Sequence, residues 1–133
     1  MSSYYLDTSV GFETLVPRGD RRARAWLDRV AKAGDSLVSS ALLELEITRA
    51  LRREGIQTKL AVPLLDRVTL VNVDDVVLRL AGAIEPHVKS LDAIHLATCM
   101  RLGSHIVMVT HDRRLAEAAA DLGLECFDPL ARD

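Results

Sequence analysis

Short apolar runs alternate with longer amphipathic stretches from one end of the chain to the other. SYYLD (3–7), SLVSS (36–40), VTLVNV (68–73), HIVMVT (105–110) and LECFD (124–128) are brief and bounded by polar or turn residues. That is the pattern of buried strands. Between them the spacing predicts helices at about 21–33, 41–54, 57–66, 74–84, 90–102 and 113–122. Gly34, Gly55, Gly103 and Gly123 fall where helices should stop, since a glycine readily takes the left-handed turn that closes a helix. Strands that alternate with helices imply a parallel sheet covered on both faces. At 133 residues, with no repeat, low-complexity tract or linker, the chain is expected to form one domain over 1–133.

Composition narrows the classes. Hydrophobic residues at 49% and charged residues at 27% suit a folded globular chain rather than a disordered one. The net charge is −2, so any contact with nucleic acid must come from a local basic patch. Two cysteines, Cys99 and Cys126, are too few for a disulfide framework and fit a reducing compartment. The opening MSSYYLDTS lacks the regions of a signal peptide, and no apolar run reaches membrane-spanning length. A cytoplasmic location is the expectation.

In a parallel α/β sheet, sites form beyond the carboxyl ends of the strands, where the strand order reverses. Asp7 closes the first apolar run, and Asp112 follows the fourth by two residues. Each alone could be a helix cap. Thr8 and Ser9 stand beside Asp7 to hold a ligating carboxylate in place. In SSALLELEITRALRR, Glu44 shares a helical face with Ser40 and Thr48 and reads as solvated. Glu46 shares its face with Leu42, Leu43 and Ala50, so it needs a partner such as Arg49 or Arg53, or a cation. Asp92, His95 and Cys99 form a row on one helical face. With no second Cys/His pair at ligand spacing, zinc is poorly supported. Cys99 reads as core, Asp92 as a cap or a ligand, and His95 as a packed histidine or a neighbour that orients Asp92.

Carboxylates drawn together repel, and burial further disfavours their ionisation. A divalent cation relieves both, and oxygen-only ligation selects a hard ion, Mg²⁺ or Mn²⁺. Such an ion suits phosphodiester hydrolysis, because it activates water and stabilises the leaving oxygen.

YLDTS, LEITRAL, SLDAIHLAT and VTHDRRLAEAA occur in order across nearly the whole chain. Together they resemble the acidic motifs of the PIN-domain ribonucleases, particularly the VapC-type toxins of prokaryotic toxin–antitoxin pairs. The resemblance implies a three-layer α/β/α fold with a central, mainly parallel sheet of about five strands. It assigns metal-site and catalytic roles to Asp7, Glu46, Asp92 and Asp112, with Thr8, Ser9, Thr110 and His95 as candidates to hold them. It also implies Mg²⁺- or Mn²⁺-dependent cleavage of structured RNA such as tRNA or rRNA, a homodimer, and a VapB-type antitoxin that blocks the site. His111 stands where the family often has tyrosine. Arg49, Arg53, Arg113 and His111 are candidates to contact RNA or the antitoxin. Arg52 and Arg114 read as solvated, and Arg18, Arg21, Arg22 and Arg24 as a possible border of the groove. An antitoxin peptide is expected to insert an Arg or Lys among the carboxylates and to lie along an apolar groove. Two other readings compete. One is a non-catalytic module that binds RNA or a partner. The other is a phosphohydrolase with Asp7 as nucleophile, which is disfavoured because Ser9 occupies the position where such enzymes carry a second aspartate.

Overall fold

The computed structural model describes residues 1–132. Its strands are β1 (Ser3–Leu6), β2 (Ser36–Ser40), β3 (Thr69–Val71), β4 (Ile106–Val109) and β5 (Glu125–Phe127). The helices are α1 (Thr8–Leu15), α2 (Arg21–Ala33), α3 (Leu42–Arg53), α4 (Val62–Leu65), α5 (Asp75–Ala83), α6 (Ser90–Leu102) and α7 (Arg113–Asp121). All strand pairs are parallel, in the order β3–β2–β1–β4–β5. Central β1 sets Tyr4 opposite Leu37 on one side and Val107 on the other. From β1 the chain builds outward through β2 and β3, then returns to lay β4 against β1's free edge. The order therefore reverses between β1 and β4, and the connections leaving those two strands diverge there.

Successive strand residues face opposite ways, and this splits the interior into two cores. Leu6, Leu37 and Val109 pack with Trp26, Leu27 and Val30 of α2 and with Leu43, Ile47 and Leu51 of α3. Tyr5 and Met108 face the other side, against Leu96 and Cys99 of α6 and Leu115, Ala118 and Ala119 of α7. The result is a three-layer α/β/α fold. Tyr4 meets Trp26 edge-on with ring centroids 5.6 Å apart, fastening α2 to the central strand. All four glycines expected at helix ends have positive φ. Among the described residues no helix is long and apolar enough to cross a membrane.

Two segments depart from expectation. The stretch expected as one helix over 57–66 is a 3₁₀ turn, Thr58–Ala61, followed by the single turn α4. Pro63 has no N–H to offer the carbonyl four residues back, so the preceding turn tightens instead of continuing as α-helix. Helix α1 lies outside the helices that the spacing predicts, and Gly11 at its centre lowers its intrinsic propensity. Packing overrides that. A Cβ at Gly11 would lie 3.4 Å from Ile47 Cδ1 and from Leu6 Cδ2, and 3.6 Å from Leu64 Cδ2. There is room for a Cβ at contact distance but for little more, so α1 packs closely on α3 and β1 with its N-terminus at the end of the central strand.

Gly11→Leu is therefore expected to overpack this junction and destabilise the protein by about 1–3 kcal/mol. A urea-unfolding midpoint unchanged from wild type would contradict the packing account.

Candidate active site

The site grows from the end of β1. Asp7 is 5% exposed and forms the N-cap of α1. Its Oδ2 accepts hydrogen bonds from Ser9 Oγ (2.6 Å), Thr110 Oγ1 (2.8 Å) and, more weakly, Ser9 N (3.4 Å). Its own amide donates to Val109 O at 3.0 Å. Ser9 Oγ also accepts from the amide of His111 (3.0 Å), and Thr110 Oγ1 accepts from the amide of Asp112 (3.0 Å). The ends of β1 and β4 are thus tied together at the switch point. Asp112 caps α7 through Oδ1, which accepts from Arg114 N and Leu115 N at 2.9 and 3.2 Å. The cap and ligand readings of Asp7 and Asp112 are compatible, since each carboxylate commits only one oxygen to the cap.

Glu46 comes from α3, whose apolar residues belong to the other core layer from α6. Its Oε1 accepts from Thr8 Oγ1 at 2.9 Å and lies 2.5 Å from His95 Nε2. Its partners are therefore Thr8 and His95, not the Arg49 or Arg53 of its own helix. Burial works against its charge, but the hydrogen bond and charge of His95 and the bond from Thr8 outweigh it, so its pKa is lowered. Glu44 is exposed, as its face predicted. His95 is fully buried, with Nδ1 2.7 Å from Tyr5 Oη. Burial opposes its protonation, yet the bond to Glu46 and the charges of Asp7, Glu46 and Asp92 raise its pKa overall. Cys99 is core, and burial pushes its thiol up to about 12.

Asp92 lies in the first turn of α6 but does not cap it. The cap position is Lys89, which makes no side-chain capping bond. Asp92 is half-buried. Its pKa is raised, first by burial and then by the charges of Asp7 and Asp112, with Glu46 adding less and His95 opposing. Asp92 thus feels the other three acids together.

A common design runs through the set. Asp7, Glu46 and Asp112 each use one oxygen for hydrogen bonds that fix the side chain and keep the other out of that bonding. No fully buried side-chain oxygen or nitrogen lacks a partner among the described residues, so the spare oxygens open toward solvent. Among the described residues no three acidic, His or Cys side chains stand close enough to make a finished metal cage. The donor set nonetheless fits a hard divalent ion, being all oxygen, strongly negative and already held on one side.

Beside Asp112 a groove of about 860 Å³ is lined by Asp20, Arg22, His111, Arg113 and Asp128 among others. His111 Nδ1 lies 2.9 Å from Asp128 Oδ2, an acid the sequence reading did not single out. Arg113 is 92% exposed and 3.5 Å from Glu117, and Arg22 pairs with Asp20 at 2.7 Å. Arg24 donates to Thr14 O at 2.9 Å. Arg49, Arg52, Arg53 and Arg114 are exposed. Tyr5 was read only as a strand residue. The signal available was a phenol in a strand buried on both faces, which requires a hydrogen-bonding partner.

Acids gathered at the switch point of a three-layer parallel fold define a recognisable class. The chain belongs to the PIN-domain family, which it matches over residues 4–121, from β1 to the end of α7. It is similar to Ribonuclease VapC46 of Mycobacterium tuberculosis, 37% identical over 132 residues that cover 97% of this chain and 99% of the relative. It is also similar to Ribonuclease VapC35 of the same organism, 37% identical over 131 residues, 94% of this chain and 96% of the relative. A toxin–antitoxin complex from Klebsiella pneumoniae shares the fold with a TM-score of 0.71 at 17% identity, over 97% of this chain and 99% of that one. FitAcB from Neisseria gonorrhoeae does so at 0.68 and 20%, over 97% and 99%.

The raised pKa of Asp92 has a thermodynamic consequence. A group whose folded pKa exceeds its unfolded value favours folding while protonated and loses that contribution as pH rises through the folded value. Where it is ionised, Asp92 therefore weakens the metal-free fold. Asp92→Asn is expected to melt above wild type at pH 7 in chelator. The gap should close as pH falls below about 4, where the carboxyl is protonated in both states. A lower melting temperature at pH 7, measured by thermal unfolding across pH, would contradict this.

Proposed function

We propose that this protein is a metal-dependent endoribonuclease toxin of the VapC type, neutralised by a VapB-type antitoxin. The observation that carries the reading is the set of carboxylates from four separate helices and strand ends. Three of them are anchored by one oxygen, and the pKa of Asp92 is raised by its burial and by the charges of the rest. The relatives named Ribonuclease VapC support RNA as the substrate, and structured RNA such as tRNA or rRNA is the proposed target. The toxin–antitoxin complexes that share the fold support the antitoxin partner.

In this reading Asp7, Glu46, Asp92 and Asp112 hold Mg²⁺ or Mn²⁺. When bound, the ion supplies water activation and stabilisation of the charge that develops on the leaving oxygen. The protein's own groups do the positioning. Ser9 and Thr110 keep Asp7 from rotating, and the amides of Arg114 and Leu115 fix Asp112. His111 and Arg113 line the groove beside Asp112 and are proposed to meet RNA phosphates, where a guanidinium fork binds two oxygens. Arg49 and Arg53 are exposed on α3, about one and two helical turns beyond Glu46, and are proposed as further RNA or antitoxin contacts. An antitoxin Arg or Lys inserted among the spare carboxylate oxygens would neutralise the site and occlude it. The apolar groove lined by Phe12, Val16, Pro17 and Ile56 suits the rest of such a peptide. A homodimer acting in the cytoplasm, where Cys99 and Cys126 stay reduced, completes the proposal.

RNA cleavage by the purified protein is expected to require Mg²⁺ or Mn²⁺ and to stop in chelator. Asp7→Asn and Asp92→Asn should each lose more than the roughly 10–100-fold typical of groups that only orient a ligand. Full activity in both variants would refute the reading, and sequencing of RNA ends after induced expression would identify the target.

A further inference from the structure

We propose that Tyr5 and His95 are positioning residues, a buried relay that fixes Glu46 so that one chosen oxygen faces the metal ion. The inference rests on the metal-site reading above and goes beyond it, because neither residue touches the ion or the RNA.

The relay starts at a backbone amide. Ser40 N donates to Tyr5 Oη at 3.1 Å, so the phenol oxygen is already an acceptor and its own proton is free to donate. It donates to His95 Nδ1 at 2.7 Å, which leaves the imidazole proton on Nε2, and that proton is directed at Glu46 Oε1 at 2.5 Å. If the ring gains a second proton, Nδ1–H turns toward Tyr5, whose hydroxyl has the Ser39 and Thr98 side chains near it. The Nε2–H bond to Glu46 survives in either state. The relay therefore works as a fixed strut and does not depend on titration.

Packing alone does not account for these residues. Both are 0% exposed in a core otherwise built from Leu96, Cys99 and Met108, where an apolar side chain would fill the space without needing partners. Instead both ring nitrogens are committed, one to the central strand and one to a helix of the opposite layer. Glu46 is the site acid on the longest flexible side chain, and among the described residues Thr8 is its one other hydrogen-bonding partner. With Oε1 engaged by Thr8 and His95, the relay leaves Oε2 outside these bonds, as the oxygen that would face the ion.

The test uses the free full-length protein and Mn²⁺ as probe. Binding is read by Mn²⁺ electron paramagnetic resonance without RNA, and cleavage rate is then read against Mn²⁺ concentration. His95→Leu is expected to weaken Mn²⁺ binding about 10–100-fold, with most of the cleavage rate returning at saturating metal. His95→Gln, whose amide can still donate to Glu46, should recover part of the affinity. Tyr5→Phe should fall between wild type and His95→Leu. Circular dichroism and melting curves verify folding, and if His95→Leu does not fold, Tyr5→Phe and His95→Gln carry the comparison. Folded variants that bind Mn²⁺ like wild type overturn the relay. Asp7→Asn separates the two levels of the argument. If it loses Mn²⁺ while the relay variants keep it, the relay alone is wrong, and if it too binds normally, the metal-site reading fails with it.

Discussion

Asp7 sits where the central strand stops and α1 begins, and its carboxylate is bound on one side by Ser9 and Thr110. This anchoring has to succeed for the rest of the site to exist, because Asp7 ties β1 to β4 and sets where the other acids are met. The electrostatic difficulty falls on Asp92, whose ionised form is disfavoured by burial and by the charges of Asp7, Asp112 and Glu46. The fold offsets that repulsion with helix ends. Asp7 and Asp112 are the N-caps of α1 and α7, and Asp92 occupies the first turn of α6. Three helix N-termini thus present their positive ends to the same acids, each favouring negative charge at its own terminus.

Glu46 has no such helix end and is held differently. It projects from the middle of α3 and is fixed by hydrogen bonds from Thr8 on one side and His95 on the other. Two lowering influences act through His95, its bond and its charge, and they leave Glu46 ionised while Asp92 is pushed the opposite way. The site therefore contains one carboxylate stabilised as an anion and one destabilised as an anion. A divalent ion would relieve the second without needing to reorganise the first.

Much of this was legible in the sequence, and the reasons are physical. Strand and helix alternation determined the sheet because buried parallel strands have to be short, apolar and separated by crossovers. Glu46 was distinguishable from Glu44 because a two-residue offset moves a side chain from the wet to the dry face of α3. Helix α1 was hidden because local propensity at Gly11 argues against a helix, while the contacts that favour it come from Ile47 and Leu64, far along the chain. The partner of Glu46 was missed for a similar reason. The arginines of its own helix were visible at helical spacing, whereas His95 arrives from another layer, and no spacing rule links residues 46 and 95. Tyr5 escaped notice because a strand tyrosine reads as apolar until its hydroxyl has to be accounted for. Asp92 as a possible cap was settled only by the backbone, which places Lys89 at that position.

The central claim is that one oxygen of each anchored carboxylate is held by the protein and the other is kept for a metal ion. Anomalous diffraction from crystals grown with Mn²⁺ tests this most directly. The account predicts a peak bounded by Asp7, Glu46, Asp92 and Asp112. The oxygens bonded to Ser9, Thr110, Thr8, His95 and the α7 amides should keep those bonds, while the spare oxygens face the ion. An ion bound elsewhere, or an ion here that takes the anchored oxygens and breaks those hydrogen bonds, would contradict it.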